Sequence, residues 1–305
     1  METPQSGVYA ASLTPLTASY EPDIPALIRH VEQLLETGSN GVAILGSTGE
    51  ANSLTLDQRL SIIKQSAQEL PPERLIMGTG SCSLKDAVRL TQASVNVGVY
   101  AVLVLPPFYY KPQSDESVLR YYSELISFVN DPHLRIIFYS FPLLSGYNFS
   151  LGILQEFKQR FGEIAAGIKD SSGNWENMLN ITQNVPDFMV YTGTETLLLD
   201  ILRAGGAGCI TASANLIAPE CKHVYEAWKN DQQETAEQAQ KKLTLLRRAL
   251  ESYPFVSELK SLLAEQTKST VWQNMLPPFS LLLDEQVKEL TLQIKEFDLD
   301  LSQRL

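Results

Sequence analysis

The chain has 305 residues, 44% hydrophobic and 19% charged, enough apolar material for a large core in one α/β domain or two smaller ones. A net charge of −11 argues against the clustered basic surface that nucleic acid or an anionic membrane requires, while local backbone donors can still hold a small anionic substrate. No apolar run reaches membrane-spanning length and Met1–Gly7 lacks the features of a signal peptide, so a cytoplasmic address is expected.

Cys82, Cys209 and Cys221 are odd in number and lack metal-ligand spacing, so they are read as buried, reduced side chains. His30 lies within a helical pattern, His133 and His223 have no Asp, Ser or Cys partner at a recognisable spacing, and all three are assigned to structure.

Val8–Leu16 reads as a first strand, followed by a helix that opens at Asp23, carries an apolar stripe from Ile24 to Leu35 and stops at Gly38. Gly41–Leu45 is a second strand, apolar throughout. Helices over Thr55–Glu69, Leu84–Val97, Asp115–Phe128, Ser150–Phe161, Trp175–Gln183 and Glu195–Ala204 then alternate with apolar runs at Leu75, Ala101, Arg135, Ile164, Phe188 and Gly208. Fully apolar strands between amphipathic helices imply a parallel sheet buried on both faces. Eight such units, ending with a helix near Pro219–Lys229, match a closed (β/α)8 TIM barrel, which typically takes about 250 residues. An open doubly wound sheet would carry a Gly-x-Gly-x-x-Gly turn that is absent here. Beyond the barrel, residues 231–305 carry apolar stripes at Ala239–Leu250 and Val256–Leu263, expected to form a C-terminal helical extension packed on a barrel of residues 1–230.

In such barrels the chemistry lies at the C-terminal ends of the strands. Those positions hold Thr14, Gly46-Ser47-Thr48-Gly49-Glu50, Gly80-Ser81, Pro106–Tyr110, Tyr139, Lys169, Gly193-Thr194-Glu195 and Thr211-Ala212-Ser213, a set rich in hydroxyls with one amine. A lysine closing an apolar strand is either an edge residue whose head reaches water or an amine with a task, because desolvation disfavours an ammonium and frees a nucleophile. Tyr139 lies one β/α step earlier and can move protons as a carbinolamine forms and collapses. The Gly46–Gly49 turn offers amide and hydroxyl donors to a carboxylate. Together these imply imine catalysis on a 2-oxo acid, with no cofactor beyond a covalent imine on Lys169 and no metal.

These residues resemble the pyruvate-dependent class I aldolases of the dihydrodipicolinate synthase and N-acetylneuraminate lyase family, across nearly the whole chain. The carriers are Gly46-Ser47-Thr48-Gly49-Glu50, Pro107-Phe108-Tyr109-Tyr110, Tyr139-Ser140-Phe141-Pro142 with Ser145-Gly146, and Gly167-Ile168-Lys169 with Asp170-Ser171. The resemblance implies that Lys169 forms the Schiff base and that Tyr139 is the acid/base. It implies that Ser47 and Thr48 hold the pyruvyl carboxylate, Thr48 also relaying protons, and that Ile210 offers a backbone contact. Tyr109 matches a tyrosine that reaches into a neighbouring subunit's site, which implies a homotetramer built as a dimer of dimers. Ser171 and Gly193 fall on the substrate's tail side.

Leu144 stands where the synthases carry an arginine, Thr194-Glu195-Thr196 where the sialic acid lyases carry Tyr-Asp-Glu, and Ala212 where those lyases use serine. The expected partners are therefore pyruvate and a small aldehyde, joined as a 2-keto-3-deoxy sugar acid such as 2-keto-3-deoxygluconate. N-acetylneuraminate lyase, 4-hydroxy-2-oxoglutarate aldolase, dihydrodipicolinate synthase and sugar-acid dehydratases stay open, as does a non-catalytic sugar-acid binding barrel.

Overall fold

The computed structural model describes residues 6–297; residues 1–5 of the N-terminal segment and 298–305 of the expected extension lie outside the described residues. β1 (Gly7–Ala11) leads to α1 (Ile24–Thr37), β2 (Gly41–Ile44) to α2 (Leu56–Glu69), β3 (Leu75–Gly78) to α3 (Leu84–Asn96), and β4 (Ala101–Val104) to α4 (Asp115–Val129). In the second half β5 (Ile136–Ser140) is followed by the one-turn α5 (Pro142–Ser145) and by α6 (Leu151–Phe161). β6 (Ala165–Asp170) is followed by α7 (Trp175–Asn184), β7 (Met189–Thr192) by α8 (Leu198–Arg203), and β8 (Gly208–Thr211) by α9 (Ala214–Lys229). The described chain ends in α10 (Gln233–Ala249), α11 (Phe255–Thr267) and α12 (Asp284–Lys295).

Successive strands pair in parallel and β8 returns to β1, with Ile210 opposite Tyr9, so the eight strands close into the expected barrel. Helix starts follow local chemistry: the side chains of Asp23, Thr55, Ser83, Ser114, Ser150 and Asn174 each accept a backbone N–H of the first turn. Side chains along each strand alternate between two cores. Tyr9, Ala43, Ile76, Leu103, Ile137, Tyr139, Tyr191 and Ile210 fill the lumen, whereas Phe138, Ile168 and Val190 pack outward under the helices.

Several boundaries differ from the sequence reading. The first strand stops at Ala11: Ser12 N still donates to Ala43 O of β2, but Leu13 turns its amide to the Asn215 side chain instead of to a strand partner. Leu45 leaves the sheet in the left-handed region (φ 62°). A Cβ on Gly78 would lie 1.9 Å from the Leu45 carbonyl oxygen, so this close crossing requires glycine. Pro219 does not start the last barrel helix: α9 begins at Ala214 and kinks at Ile217, two residues before the proline. The helix expected over Glu195–Ala204 is a 3₁₀ turn (Glu195–Leu197) followed by α8. Cys82, expected to be buried, is exposed, while Cys209 and Cys221 are buried.

The C-terminal helices share one apolar cluster with the strands: Leu243, Leu246, Leu259, Leu262 and Leu290 pack together with Val8 and Cys209. At the junction of β1, β8 and α1, Asn215 Nδ2 donates to Ala11 O (2.8 Å) and Ala212 O (2.6 Å). Its Oδ1 therefore accepts from Leu13 N (3.1 Å) and from His30 Nε2 (2.8 Å), which sets the neutral tautomer of the imidazole.

Burial pushes the His30 imidazole down to about 4 from 6.5, partly offset by its bond to Asn215. Between those values the unfolded chain binds the extra proton, so stability rises with pH there and is lost on acidification. The loss at pH 4.5 is expected to be about 2–3 kcal/mol. Urea midpoints at pH 7 and 4.5 check it: the pH difference should shrink in His30→Gln, and an unchanged difference contradicts it.

Candidate active site

Lys169 and Tyr139 are direct partners in the β5–β6 ladder, and both point into the lumen near its C-terminal end. Lys169 Nζ donates to Tyr139 Oη at 3.4 Å and lies 4.4 Å from the ring centroid. Each residue is only 5% exposed, so the amine sits in the barrel mouth and not at a sheet edge. This geometry removes the alternative of a lysine whose head reaches bulk water.

On the other flank, Tyr191 of β7 is the ladder partner of Lys169. Its hydroxyl meets Met189 Sδ at 3.5 Å, two residues back along the strand, so it points away from the rim. Burial pushes this phenol well above its ordinary range and the neighbouring Tyr9 up to about 12. The two rings meet edge to face, 5.6 Å apart, as part of the lumen packing.

Ser47 and Thr48 lie in the half-buried turn that follows β2. Turn bonds from Gly49 N to Gly46 O and from Glu50 N to Ser47 O shape it, and Thr14 Oγ1 ties it to β1 through Gly49 O at 2.8 Å. Leu45 and Glu50, both non-glycine residues in the left-handed region (φ 62° and 56°), bracket it. Such conformations persist where the surroundings over-determine them, and they concentrate at ligand sites. Among the described residues no protein partner takes the Ser47 or Thr48 hydroxyls.

The remaining site residues divide. Ser171 N donates to Ser140 O at 2.8 Å, and a Cβ on Gly193 would meet Ser171 Oγ at 2.1 Å and Ser171 Cα at 2.8 Å. Ser171 and Gly193 therefore form one packed corner beyond Lys169, with Ile210 buried in β8. Tyr109 is not brought to the amine: it is 75% exposed in the loop after β4, edge to face with Tyr110 at 5.1 Å. Asp170, next to the lysine, faces outward. Its carboxylate accepts from Ser172 N (2.8 Å) and Asn177 Nδ2 (2.9 Å), anchoring the start of α7 rather than lining the lumen.

Two cations that the sequence reading missed, Arg247 and Lys260, meet strand-end carboxylates from the C-terminal helices. Glu195 is fully buried, accepts from Thr211 Oγ1 at 2.6 Å and from Ser213 Oγ, and pairs with Arg247 Nη1 of α10 at 3.5 Å. Glu50 pairs with Lys260 of α11, both side chains fully buried. Burial pushes the Lys260 amine down from its ordinary value, and Glu50 opposes that shift. The signal was present: Arg247 lies four residues after Leu243, and Lys260 four after Val256, both inside apolar stripes.

The model of the dihydrodipicolinate synthetase family matches residues 4–297. The chain belongs to that family. Its members are pyruvate-dependent lyases, and this chain is an enzyme of that class, a class I aldolase or lyase. An uncharacterized DapA-like lyase of Chloroflexus aurantiacus is 30% identical over 234 residues, 76% of this chain and 78% of the relative. A 4-hydroxy-tetrahydrodipicolinate synthase of Listeria monocytogenes serotype 4a is 30% identical over 265 residues, 85% and 88% of the two chains. Among solved structures, the Escherichia coli K12 prophage protein YagE, crystallised in complex with pyruvate, superposes with a TM-score of 0.88. At 24% identity, covering 97% of this chain and 99% of that one, it shows the same fold. No helix among the described residues is long and apolar enough to cross a membrane.

Proposed function

We propose that the enzyme joins or cleaves a carbon-carbon bond between pyruvate and a small aldehyde through an imine on Lys169, with a 2-keto-3-deoxy sugar acid such as 2-keto-3-deoxygluconate as the joined form. The observation that carries the chemistry is the buried Lys169 amine 3.4 Å from the Tyr139 hydroxyl.

The amine adds to the ketone carbon of pyruvate, Tyr139 passes a proton to the carbinolamine oxygen, and water leaves to give a protonated imine. The Tyr139 phenolate takes a methyl proton to yield the enamine, whose carbon attacks the aldehyde; Tyr139 returns that proton to the new alkoxide, and addition of water to the imine releases the product and the amine. Cleavage runs the same steps backwards. Ser47 and Thr48 hold the carboxylate, Thr48 relays protons, and Ser171, Gly193 and the Ile210 backbone border the aldehyde side. Tyr109, exposed on its own protomer, completes the relay of a neighbouring copy in a tetramer built as a dimer of dimers.

Leu144 supports an uncharged aldehyde. It lies on α5 at the rim, 43% exposed, and cannot make the bidentate contact of an arginine with a second carboxylate. One observation favours a second reading: Lys111 Nζ donates to Leu144 O at 3.3 Å, which places a cation at this rim for the carboxylate of aspartate semialdehyde. Turnover of pyruvate with glyceraldehyde, glyoxylate, N-acetylmannosamine and aspartate semialdehyde decides between them. Glyceraldehyde is expected to give the highest kcat/KM; aspartate semialdehyde as the best acceptor would establish the synthase reading instead.

A further inference from the structure

Lys260 reaches from α11 to the underside of the turn that carries Ser47 and Thr48. Its Nζ pairs with the Glu50 carboxylate and donates to Asn274 O at 2.9 Å. The second Glu50 oxygen accepts from Leu276 N at 2.7 Å, and Asn274 Nδ2 donates to Leu16 O at 2.9 Å. The end of the β2 turn is thereby bound to α11, to the segment after it and to the loop after β1. Among the described residues no hydrogen bond joins either partner to Lys169 or Tyr139, so the pair stands outside the amine chemistry.

An ion pair with both side chains fully buried gives up hydration on both partners, and a packed apolar pair would fill the same space at least as stably. What an apolar pair cannot do is hold the Glu50 backbone by its own carboxylate in the left-handed region, two residues after Thr48. We propose that the Lys260–Glu50 pair is a positioning device that fixes the Ser47–Thr48 turn against the pyruvyl carboxylate, so that pyruvate affinity is set from the C-terminal helices. This rests on the reading of that turn as the carboxylate cradle.

Pyruvate and acetone separate positioning from a general structural role, because both form an imine with a lysine and only pyruvate carries the carboxylate. The experiment titrates each ketone against borohydride trapping on the full chain, in the wild type, Glu50→Gln/Lys260→Met and Glu50→Asp. The double variant removes both charges at similar volume. Glu50→Asp keeps both and shortens the link by one methylene, which provides the comparison if the double variant does not fold. In the variant that melts like the wild type, the pyruvate concentration at half-maximal trapping is expected to rise about tenfold, with the acetone value changed less than about twofold. An unchanged pyruvate value, or an equal rise for both ketones, overturns the proposal while leaving the imine chemistry intact. A wild type that traps acetone but shows no preference for pyruvate overturns the cradle and this proposal together.

Discussion

Lys169→Ala is expected to lower turnover by about 10⁴-fold or more, because without the amine the covalent path closes and only substrate binding remains. The variant should nevertheless fold. Lys169 is 5% exposed and its hydrogen bond to Tyr139 is a long one, 3.4 Å, so its amine is held in the interior at a cost that alanine does not bear. A melting temperature equal to or above that of the wild type, together with lost pyruvate release, would mark the residue as one kept for function against stability. Turnover within tenfold of wild type would remove the lysine from the mechanism.

Tyr139→Phe is expected to reduce kcat by about 10²–10³-fold, the range for loss of a positioned general acid or base. The ring stays beneath the amine, as in the wild type at 4.4 Å, so only the hydroxyl is lost. Pyruvate should still become trapped on Lys169, more slowly, and its KM should change little, since the proposed carboxylate contacts lie on the turn after β2. Steady-state kcat and KM, with single-turnover trapping rates, check this; a large KM change with unaltered kcat would make Tyr139 a binding residue.

Period-two alternation and the β/α repeat are local properties, and they carried the barrel and the strand-end positions directly from the residues. The pairing of Lys169 with Tyr139 followed, since positions one β/α unit apart in a parallel barrel are ladder partners. The outward turn of Asp170 was legible by the same alternation, one residue from an inward lysine, and its bonds to Ser172 and Asn177 now account for it without a substrate. Leu45 was a different case: its left-handed backbone arises from the crossing with Gly78, a tertiary contact that no local propensity encodes. Nor does a helical stripe tell which carboxylate its buried cation will meet. Arg247 and Lys260 could be recognised as cations on apolar faces, but Glu195 and Glu50 became their partners only when the C-terminal helices were placed on the barrel.

The central claim, that Lys169 is the carbon-carbon bond chemistry's covalent anchor, is tested most directly by incubating the enzyme with pyruvate, reducing with borohydride and mapping the modified peptide. A reduced pyruvate adduct on Lys169 and on no other lysine is the predicted result. Unmodified Lys169, or pyruvate spread over several surface lysines, would contradict it.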